Sequence, residues 1–216
     1  MIGATIDLLV KGGLVMIPLG ICSVLALAIV IERAWTWWRI GSLADADLLL
    51  ARAAKGEWAE AIAAGEASRS PVARVLAEGV RHRNPAPALA MEAAAQDEAA
   101  RLKRYLPILD TIITLSPLLG LLGTVTGMIG AFGIMASSGM NEPNAITGGV
   151  AEALVATATG LGVAILALVP YNLFNARVES LLETIDRYGS RLELLLAESP
   201  VPRAREAAPR GREVAA

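Results

Sequence analysis

The chain contains very few of the residues that build metal centres, disulfides or nucleophilic sites. Its 216 residues include one cysteine, Cys22, one histidine, His82, and only 4% aromatic side chains. A lone cysteine in an apolar run cannot form an intrachain disulfide and packs as a small hydrophobe, and a structural metal site needs more than one such ligand. No GxxxxGK[ST], HExxH or CxxC pattern is present either. We therefore expect no enzymatic activity, no metal site and no cofactor.

Apolar residues, by contrast, are abundant. They make up 55% of the chain, and the mean hydropathy is +0.53. Such a composition is too apolar for an ordinary soluble domain and indicates a membrane protein. The net charge of -2 is the balance of 19 basic and 21 acidic residues, and it gives no indication of nucleic acid as a partner.

Three apolar segments are long enough to cross a bilayer, which needs roughly 20 helical residues. They are residues 14–31, 106–135 and 146–174. The first is longer than the apolar core of a signal peptide, so we expect it to be retained as an anchor. Trp35, Trp37 and Trp38 follow it and are typical of an aromatic anchor at the membrane surface.

The basic residues predict an orientation. Of 19 Lys and Arg, only Lys11 precedes the first span and none lies in the connection 136–145, whereas 11 lie in residues 33–104 and 7 follow residue 174. The positive-inside rule then places residues 1–13 outside, and the loop 32–105 and the carboxyl terminus in the cytoplasm.

The polar segments are predicted to be helical up to residue 198. Breakers at residues 68–71 and 84–87 divide the loop 32–105 into about three helices. Residues 175–198 carry apolar side chains at 3-4-3-4-3 spacing, which predicts a helix that continues the third span: Val178, Leu181, Ile185, Tyr188, Leu192 and Leu195. Residues 199–216 are rich in Pro and Arg, and we expect them to be disordered.

The second span carries a stripe of glycines on one helix face. Their 3-4-3 spacing allows a neighbouring backbone to approach closely, so we expect helix packing there, and we infer an oligomer: Gly120, Gly123, Gly127 and Gly130. Pro117 interrupts the same span. Ser116 and Thr114 are the groups that could satisfy the backbone carbonyl which this proline leaves free.

The third span contains a carboxylate, Glu152, and two hydroxyls, Thr157 and Thr159. A carboxylate in a membrane helix is costly and usually faces a pore, a partner or an ion path. Glu152 also lies only six residues after Ile146, so it could instead reach the outer interface. On an ideal helix Thr159 lies within about 20° of the face of Glu152 and Thr157 about 140° away, which favours Thr159 as its neighbour. Either hydroxyl could alternatively bond the carbonyl four residues earlier.

These segments resemble a known family. GLLGTVTGMIGAF at residues 120–132 and GGVAEALVATATGLGVAI at residues 148–165 look like the second and third membrane helices of the MotA/TolQ/ExbB proton-channel family, closest to its three-span ExbB/TolQ branch. Residues 16–35 resemble the first helix of that branch, so the likeness covers most of residues 14–175.

The resemblance implies an all-α protein of the bacterial inner membrane, assembled as a ring-like homopentamer. Its second and third helices would line a pore that holds an ExbD/TolR-like single-span partner. By matching position, Thr124, Glu152 and Thr157 would face this pore, and Thr159 remains a further candidate from the helix geometry.

The implied function is a proton-channel subunit of a motor that uses the proton-motive force to drive work at the outer membrane, such as TonB-dependent import or envelope maintenance. A TonB/TolA-like protein and membrane lipid would be further partners. The amino terminus would lie in the periplasm and the carboxyl terminus in the cytoplasm. The alternative is a passive membrane scaffold whose polar side chains only hold helices together.

Overall fold

The computed structural model describes residues 13–138 and 143–198, and its regular secondary structure over those residues is α-helix. The expected disordered tail 199–216, most of the amino-terminal segment and residues 139–142 of the short connection lie outside the described residues. The helices of the described part are α1 (Met16–Trp38), α2 (Ala44–Ala54), α3 (Trp58–Ala67), α4 (Pro71–Arg81), α5 (Pro87–Leu102), α6 (Leu106–Ser138) and α7 (Pro143–Glu198).

Three of these helices are long and apolar enough to cross a membrane. The candidate spans are Met16–Trp38, Leu106–Ala136 and Thr147–Glu198. The last runs far beyond the roughly 20 residues that a bilayer requires, because α7 continues without interruption through Pro170 to Glu198. The sequence prediction that residues 175–198 extend the third span as helix is therefore confirmed.

The chain divides into two compact units. The first comprises residues 1–41 and 95–184 and contains α1, α6 and most of α7. Its core is small and apolar, and draws on all three of these helices: Cys22, Ala26, Leu109, Ile112, Val163 and Ala167. Cys22 is buried there as a free thiol, in the role of the small hydrophobe that its apolar context predicts.

The second unit comprises residues 42–94 and 185–216. Its described part contains α2, α3, α4, the first half of α5 and the end of α7. Tyr188 of α7 donates a hydrogen bond to Asp47 of α2 over 3.0 Å, and Leu192 is fully buried. The apolar stripe predicted on this end of α7 thus faces protein, because its spacing keeps those side chains on one side of the helix.

The loop contains four helices rather than about three. The additional break falls at Gly56, whose φ of +78° lies in the left-handed region that glycine adopts readily. This single glycine ends α2 and lets α3 begin at Trp58. The prediction missed it because a lone glycine within an Ala-rich and Glu-rich run is a weaker signal than the proline-containing breaks.

Candidate functional site

The spans α6 and α7 lie against one another with almost no side chain between them. A β-carbon added to Gly120 would lie 3.0 Å from the Cα of Thr157, and one added to Gly127 would lie 3.0 Å from the Cβ of Ala153. Gly123 lies directly against the Cβ of Ala156. Contacts this close require glycine, because any side chain would have to displace the facing backbone.

The contact is antiparallel and continuous over more than ten residues. From residue 116 to residue 127 of α6, the facing residues of α7 run in the opposite direction, from 160 to 149. Both helices supply small residues at the same 4-3-4 spacing, which keeps each set on one face. These are Ser116, Gly120, Gly123 and Gly127 on α6, and Gly149, Ala153, Ala156 and Gly160 on α7.

The fourth glycine of the predicted stripe lies away from this contact. A β-carbon added to Gly130 would meet nothing within 4 Å. Gly130 lies on a different face of the helix, and the contact surface of α6 instead runs from Ser116 to Ala131, whose Cβ lies 3.0 Å from a β-carbon added to Gly149. Because its partner is a helix of the same chain, the glycine pattern does not by itself require a second copy.

Ser116 has a role in this contact other than the one that its place beside Pro117 predicts. Its backbone carbonyl lies opposite Gly160, and its side chain is fully buried. Within the described residues its hydroxyl has no hydrogen-bond partner, and Thr114 donates to the carbonyls of Thr111 and Asp110 over 3.0 and 3.3 Å. The expectation that these two side chains satisfy the carbonyl left free by Pro117 is therefore wrong. The 4-3-4 spacing of position 116 was the signal for its packing role.

Thr157 joins the two helices through a hydrogen bond. Its hydroxyl donates to the carbonyl oxygen of Gly120 over 2.9 Å, and the side chain is half-buried. A glycine at position 120 is what allows a hydroxyl of α7 to come this close to a backbone carbonyl of α6.

The other two threonines bond within their own helices. Thr124 donates to the carbonyl of Leu121 over 2.6 Å, and Thr159 donates to that of Val155 over 2.8 Å. Each hydroxyl oxygen retains lone pairs that can accept a hydrogen bond, since only the hydroxyl proton is used. Thr157, Thr159 and Thr124 are thus acceptors for any water or partner that reaches them.

Glu152 lies beside the beginning of α1. Its carboxylate occupies the place that a β-carbon on Gly13 would take, and Gly13 has a φ of +70°. Since α1 begins at Met16, the carboxylate lies level with the start of that span, and its side chain is half-buried. The contact of Glu152 with Gly13, just before α1, is therefore at one end of the helical bundle rather than at its middle.

In the described parts of the chain, no group of three or more His, Cys, Asp or Glu residues is arranged to hold a metal ion. The tightly packed helix pair of the first unit thus carries the hydroxyls of Thr124, Thr157 and Thr159 and the carboxylate of Glu152. Such polar groups in apolar spans can bind water, accept hydrogen bonds and, for the carboxylate, exchange a proton.

Comparison with known proteins identifies the family. The model of the MotA/TolQ/ExbB proton channel family matches residues 67–187, which is more than half of the chain. This chain belongs to that family. It is a multi-pass membrane protein and a channel-type subunit rather than an enzyme.

Individual relatives agree with this assignment. The chain is 37% identical over 203 residues to the putative biopolymer transport protein ExbB-like 1 of Synechocystis sp., covering 89% of this chain and 79% of that protein. It is 38% identical to ExbB-like 3 of the same organism, covering 85% of this chain and 91% of the relative. The Tol-Pal system protein TolQ of Pseudomonas aeruginosa is 38% identical over 109 residues, half of this chain and 47% of TolQ. Members of the ExbB/TolQ branch work with ExbD/TolR-type partners.

Proposed function

We propose that this chain is the proton-channel subunit of an energy-transducing motor in the bacterial inner membrane. With an ExbD/TolR-like partner it would use the proton-motive force to drive work at the outer membrane, in TonB-dependent import or envelope maintenance. The observation that carries the proposal is the family match over residues 67–187, which includes α6 and the membrane-spanning part of α7. Those helices hold Thr124, Glu152 and Thr157 within predominantly apolar spans.

The proposed proton path uses these side chains in different ways. Glu152 is the one carboxylate of α7 between residues 147 and 174 and is half-buried, so it is the group in that segment able to take up and release a proton. The hydroxyls of Thr124, Thr157 and Thr159 are already donating to backbone carbonyls. We propose that their oxygens accept hydrogen bonds from pore water and so position it, rather than passing on their own protons.

The pore itself would be formed by several copies, in a homopentamer. Because α6 and α7 pack closely against each other, a single chain has little room for a channel between its three spans. We therefore propose that several copies together line the pore. The first unit retains apolar surface for such contacts and for lipid, since Leu118, Ile129 and Phe132 of α6 are each more than half exposed. The basic residues favour a periplasmic amino terminus and a cytoplasmic carboxyl terminus.

A second candidate function is a passive membrane scaffold, and one observation favours it. The hydroxyl of Thr157 donates its proton to a hydrogen bond between two helices, as is typical of a residue that stabilises helix packing. In the scaffold, Glu152 would contribute only to the end of the bundle, where it contacts Gly13.

Proton flux in liposomes distinguishes the two candidates. The protein would be reconstituted with its co-expressed single-span partner, a potassium diffusion potential imposed, and internal acidification followed with a pH-sensitive dye. For Glu152→Gln we expect loss of flux with unchanged oligomer mass and partner retention, because the amide cannot carry a proton.

The matched control is Glu193→Gln, the same change at an exposed position of the same helix, which should conduct like the wild type. Wild-type flux through the Glu152→Gln protein would refute the proposed path. Parallel losses of flux and oligomer mass would favour the scaffold.

A further inference from the structure

A second carboxylate lies within the membrane-spanning helices, on α6. Asp110 is the one charged residue in the sequence of this helix, which runs from Leu106 to Ser138. Its side chain is exposed, and none of the ion pairs found within the described residues involves it. The charge of Asp110 is therefore not compensated by an ion pair within the described part of one copy.

A buried arginine marks the level at which the apolar part of α1 ends. Arg33 is only 4% exposed, and its Nη1 donates to the carbonyl oxygens of Arg101 and Leu102 over 3.2 and 3.3 Å. Glu32 pairs with the same guanidinium, with Nη2 to Oε1 at 2.6 Å. Because charged groups are costly in hydrocarbon, we place this contact at the boundary of the apolar layer.

Asp110 lies deeper along the bundle than this boundary. Its neighbour Leu109 is buried in the apolar cluster that also contains Ala26, seven residues before Arg33 on α1. Seven helical residues span about 10 Å, and half of the hydrocarbon core of a bilayer is about 15 Å. An exposed carboxylate at that depth would be costly to leave in contact with acyl chains.

Two hydroxyls accompany this carboxylate. Thr111 and Thr114 are both exposed and donate to backbone carbonyls of α6, Thr111 to that of Pro107 over 2.9 Å and Thr114 to that of Thr111 over 3.0 Å. Their oxygens keep lone pairs that can accept hydrogen bonds from water. We call Asp110, Thr111 and Thr114 the α6 polar patch. Acyl chains offer no hydrogen bonds to this patch, so in the membrane it has to face water or protein.

Asp110 lies on the side of α6 that carries Thr124. It precedes Thr124 by 14 residues, which on an ideal helix leaves the two within about 40° of one face. Gly120 faces Thr157 across the antiparallel contact of α6 and α7. Asp110 lies ten residues from this point on α6, and Glu152 lies five residues from it on α7, in the opposite direction along the bundle. The two carboxylates are therefore separated by about 22 Å, which is most of an apolar layer of about 30 Å.

We propose that Asp110 is the second proton-carrying group of the path, at the end of the pore opposite Glu152. The proposal rests on the proposed function, because it extends the same pore. Asp110 takes up a proton from pore water and releases it to the aqueous phase at the near end of α6, so its carboxyl group alternates between the neutral and the ionised form. Thr111 and Thr114 position the water that exchanges this proton. The orientation that the basic residues favour puts this end of α6 at the cytoplasm.

Proton flux in the liposome assay, with the same co-expressed partner, tests the proposal. Asp110→Asn keeps the size of the side chain, but the amide cannot carry a proton. Flux should therefore fall to the level of liposomes without protein, while oligomer mass and partner retention stay unchanged. Asp110→Glu keeps the carboxyl group and should retain most of the flux.

The matched control is Asp186→Asn, the same change at an exposed position of α7 beyond its apolar part. It removes one negative charge as Asp110→Asn does, and it should conduct like the wild type. A difference between these two variants therefore reports the position of the carboxylate rather than the net charge of the protein.

A second measurement reports the surroundings of position 110 without using flux. Asp110→Cys and Ile108→Cys would each be made in a Cys22→Ala background and treated, as the assembled complex in membrane fragments, with a charged maleimide that cannot enter hydrocarbon. Ile108 is 47% exposed and lies about 160° away around the helix. We expect Asp110→Cys to be labelled at least about tenfold faster, although Ile108 lies nearer the end of α6, because a thiol reacts as its thiolate, which forms in water.

Wild-type flux through Asp110→Asn, or equal labelling at the two positions, would overturn the proposal and leave the proposed function standing. Loss of flux in parallel with oligomer mass or partner retention would assign Asp110 to a protein contact and would likewise overturn it. An absence of flux in the wild-type complex would overturn the proposed function itself, and the role of Asp110 with it.

Discussion

The hydroxyl of Thr157 donates a hydrogen bond to the carbonyl oxygen of Gly120, 2.9 Å away on the neighbouring antiparallel helix. This bond forms within the close contact of α6 and α7, where a β-carbon on Gly120 would lie 3.0 Å from the Cα of Thr157. One residue thus belongs both to the helix contact and to the proposed proton path. Both stability and proton flux must therefore be measured on every variant of Thr157.

Replacing Thr157 by valine keeps the shape of the side chain but removes the bond to Gly120. Interhelical hydrogen bonds in membranes contribute about 0.6 kcal/mol on average and at most about 1.7, so we expect a small fall in melting temperature. If Thr157 positions pore water, proton flux should be lost far beyond this effect, and Thr157→Ser should restore it because the hydroxyl is kept. Thr126→Val removes only bonds within α6, at a hydroxyl outside the proposed path, and serves as the control. Flux in Thr157→Val that falls only in step with stability would assign Thr157 to packing alone.

The two ends of the glycine stripe should respond differently to alanine. Gly123 lies against the Cβ of Ala156, so Gly123→Ala must push α6 and α7 apart and should cost about 1 to 3 kcal/mol. Gly130→Ala meets nothing within 4 Å and should be neutral or stabilising by up to about 1 kcal/mol, because alanine favours helix. Thermal unfolding followed by circular dichroism in detergent measures both. Equal destabilisation by the two changes would contradict the contact described here.

A second glycine pair tests the packing of the loop helices. A β-carbon on Gly65 of α3 would lie 2.5 Å from the Cβ of Ala77 and 2.7 Å from the carbonyl of Ala73, neither of which can move without its backbone. One on Gly79 would meet Met91 at its Cγ and Sδ, 2.6 and 2.7 Å away, which a rotamer change relieves. We expect Gly65→Ala to destabilise by about 1 to 3 kcal/mol and Gly79→Ala by clearly less. The same unfolding measurement tests this expectation. Greater destabilisation by Gly79→Ala than by Gly65→Ala would show that the close contact at Gly65 does not determine how α3 packs against α4.

Truncation separates the end of α7 from the residues that follow it. Residues 199–216 offer no apolar face in their sequence, so deleting them should leave assembly and flux unchanged. Deleting residues 175–216 also removes Tyr188, which bonds Asp47, and the buried Leu192, so the second unit should lose stability. Oligomer mass and flux measured on both truncations provide the check. A comparable loss from the short deletion would show that the last segment has a function its composition does not reveal.

Much of the architecture was predictable because it depends on local patterns. Apolar runs longer than a bilayer requires predict the spans, and the 3-4 spacing from Val178 to Leu195 predicts the helical extension of α7. The break at Gly56 was not predicted, because one glycine in a helical composition is ambiguous until its φ of +78° is known. The assignment of Ser116 to the free carbonyl failed for a related reason, since a serine beside a proline can either bond or pack.

The sequence by itself determined the class of this protein, its three apolar spans and the residues able to carry chemistry within them. These follow from hydropathy and periodicity, which act along the chain and need no knowledge of which helix meets which. Only the tertiary structure decided that Gly120 faces Thr157, that Gly130 faces nothing within 4 Å, that Glu152 meets Gly13, and that Arg33 joins α1 to the end of α5. A helix periodicity specifies a face but not its neighbour. The neighbour depends on the antiparallel register of whole helices, which is set by the packing of all their small residues together.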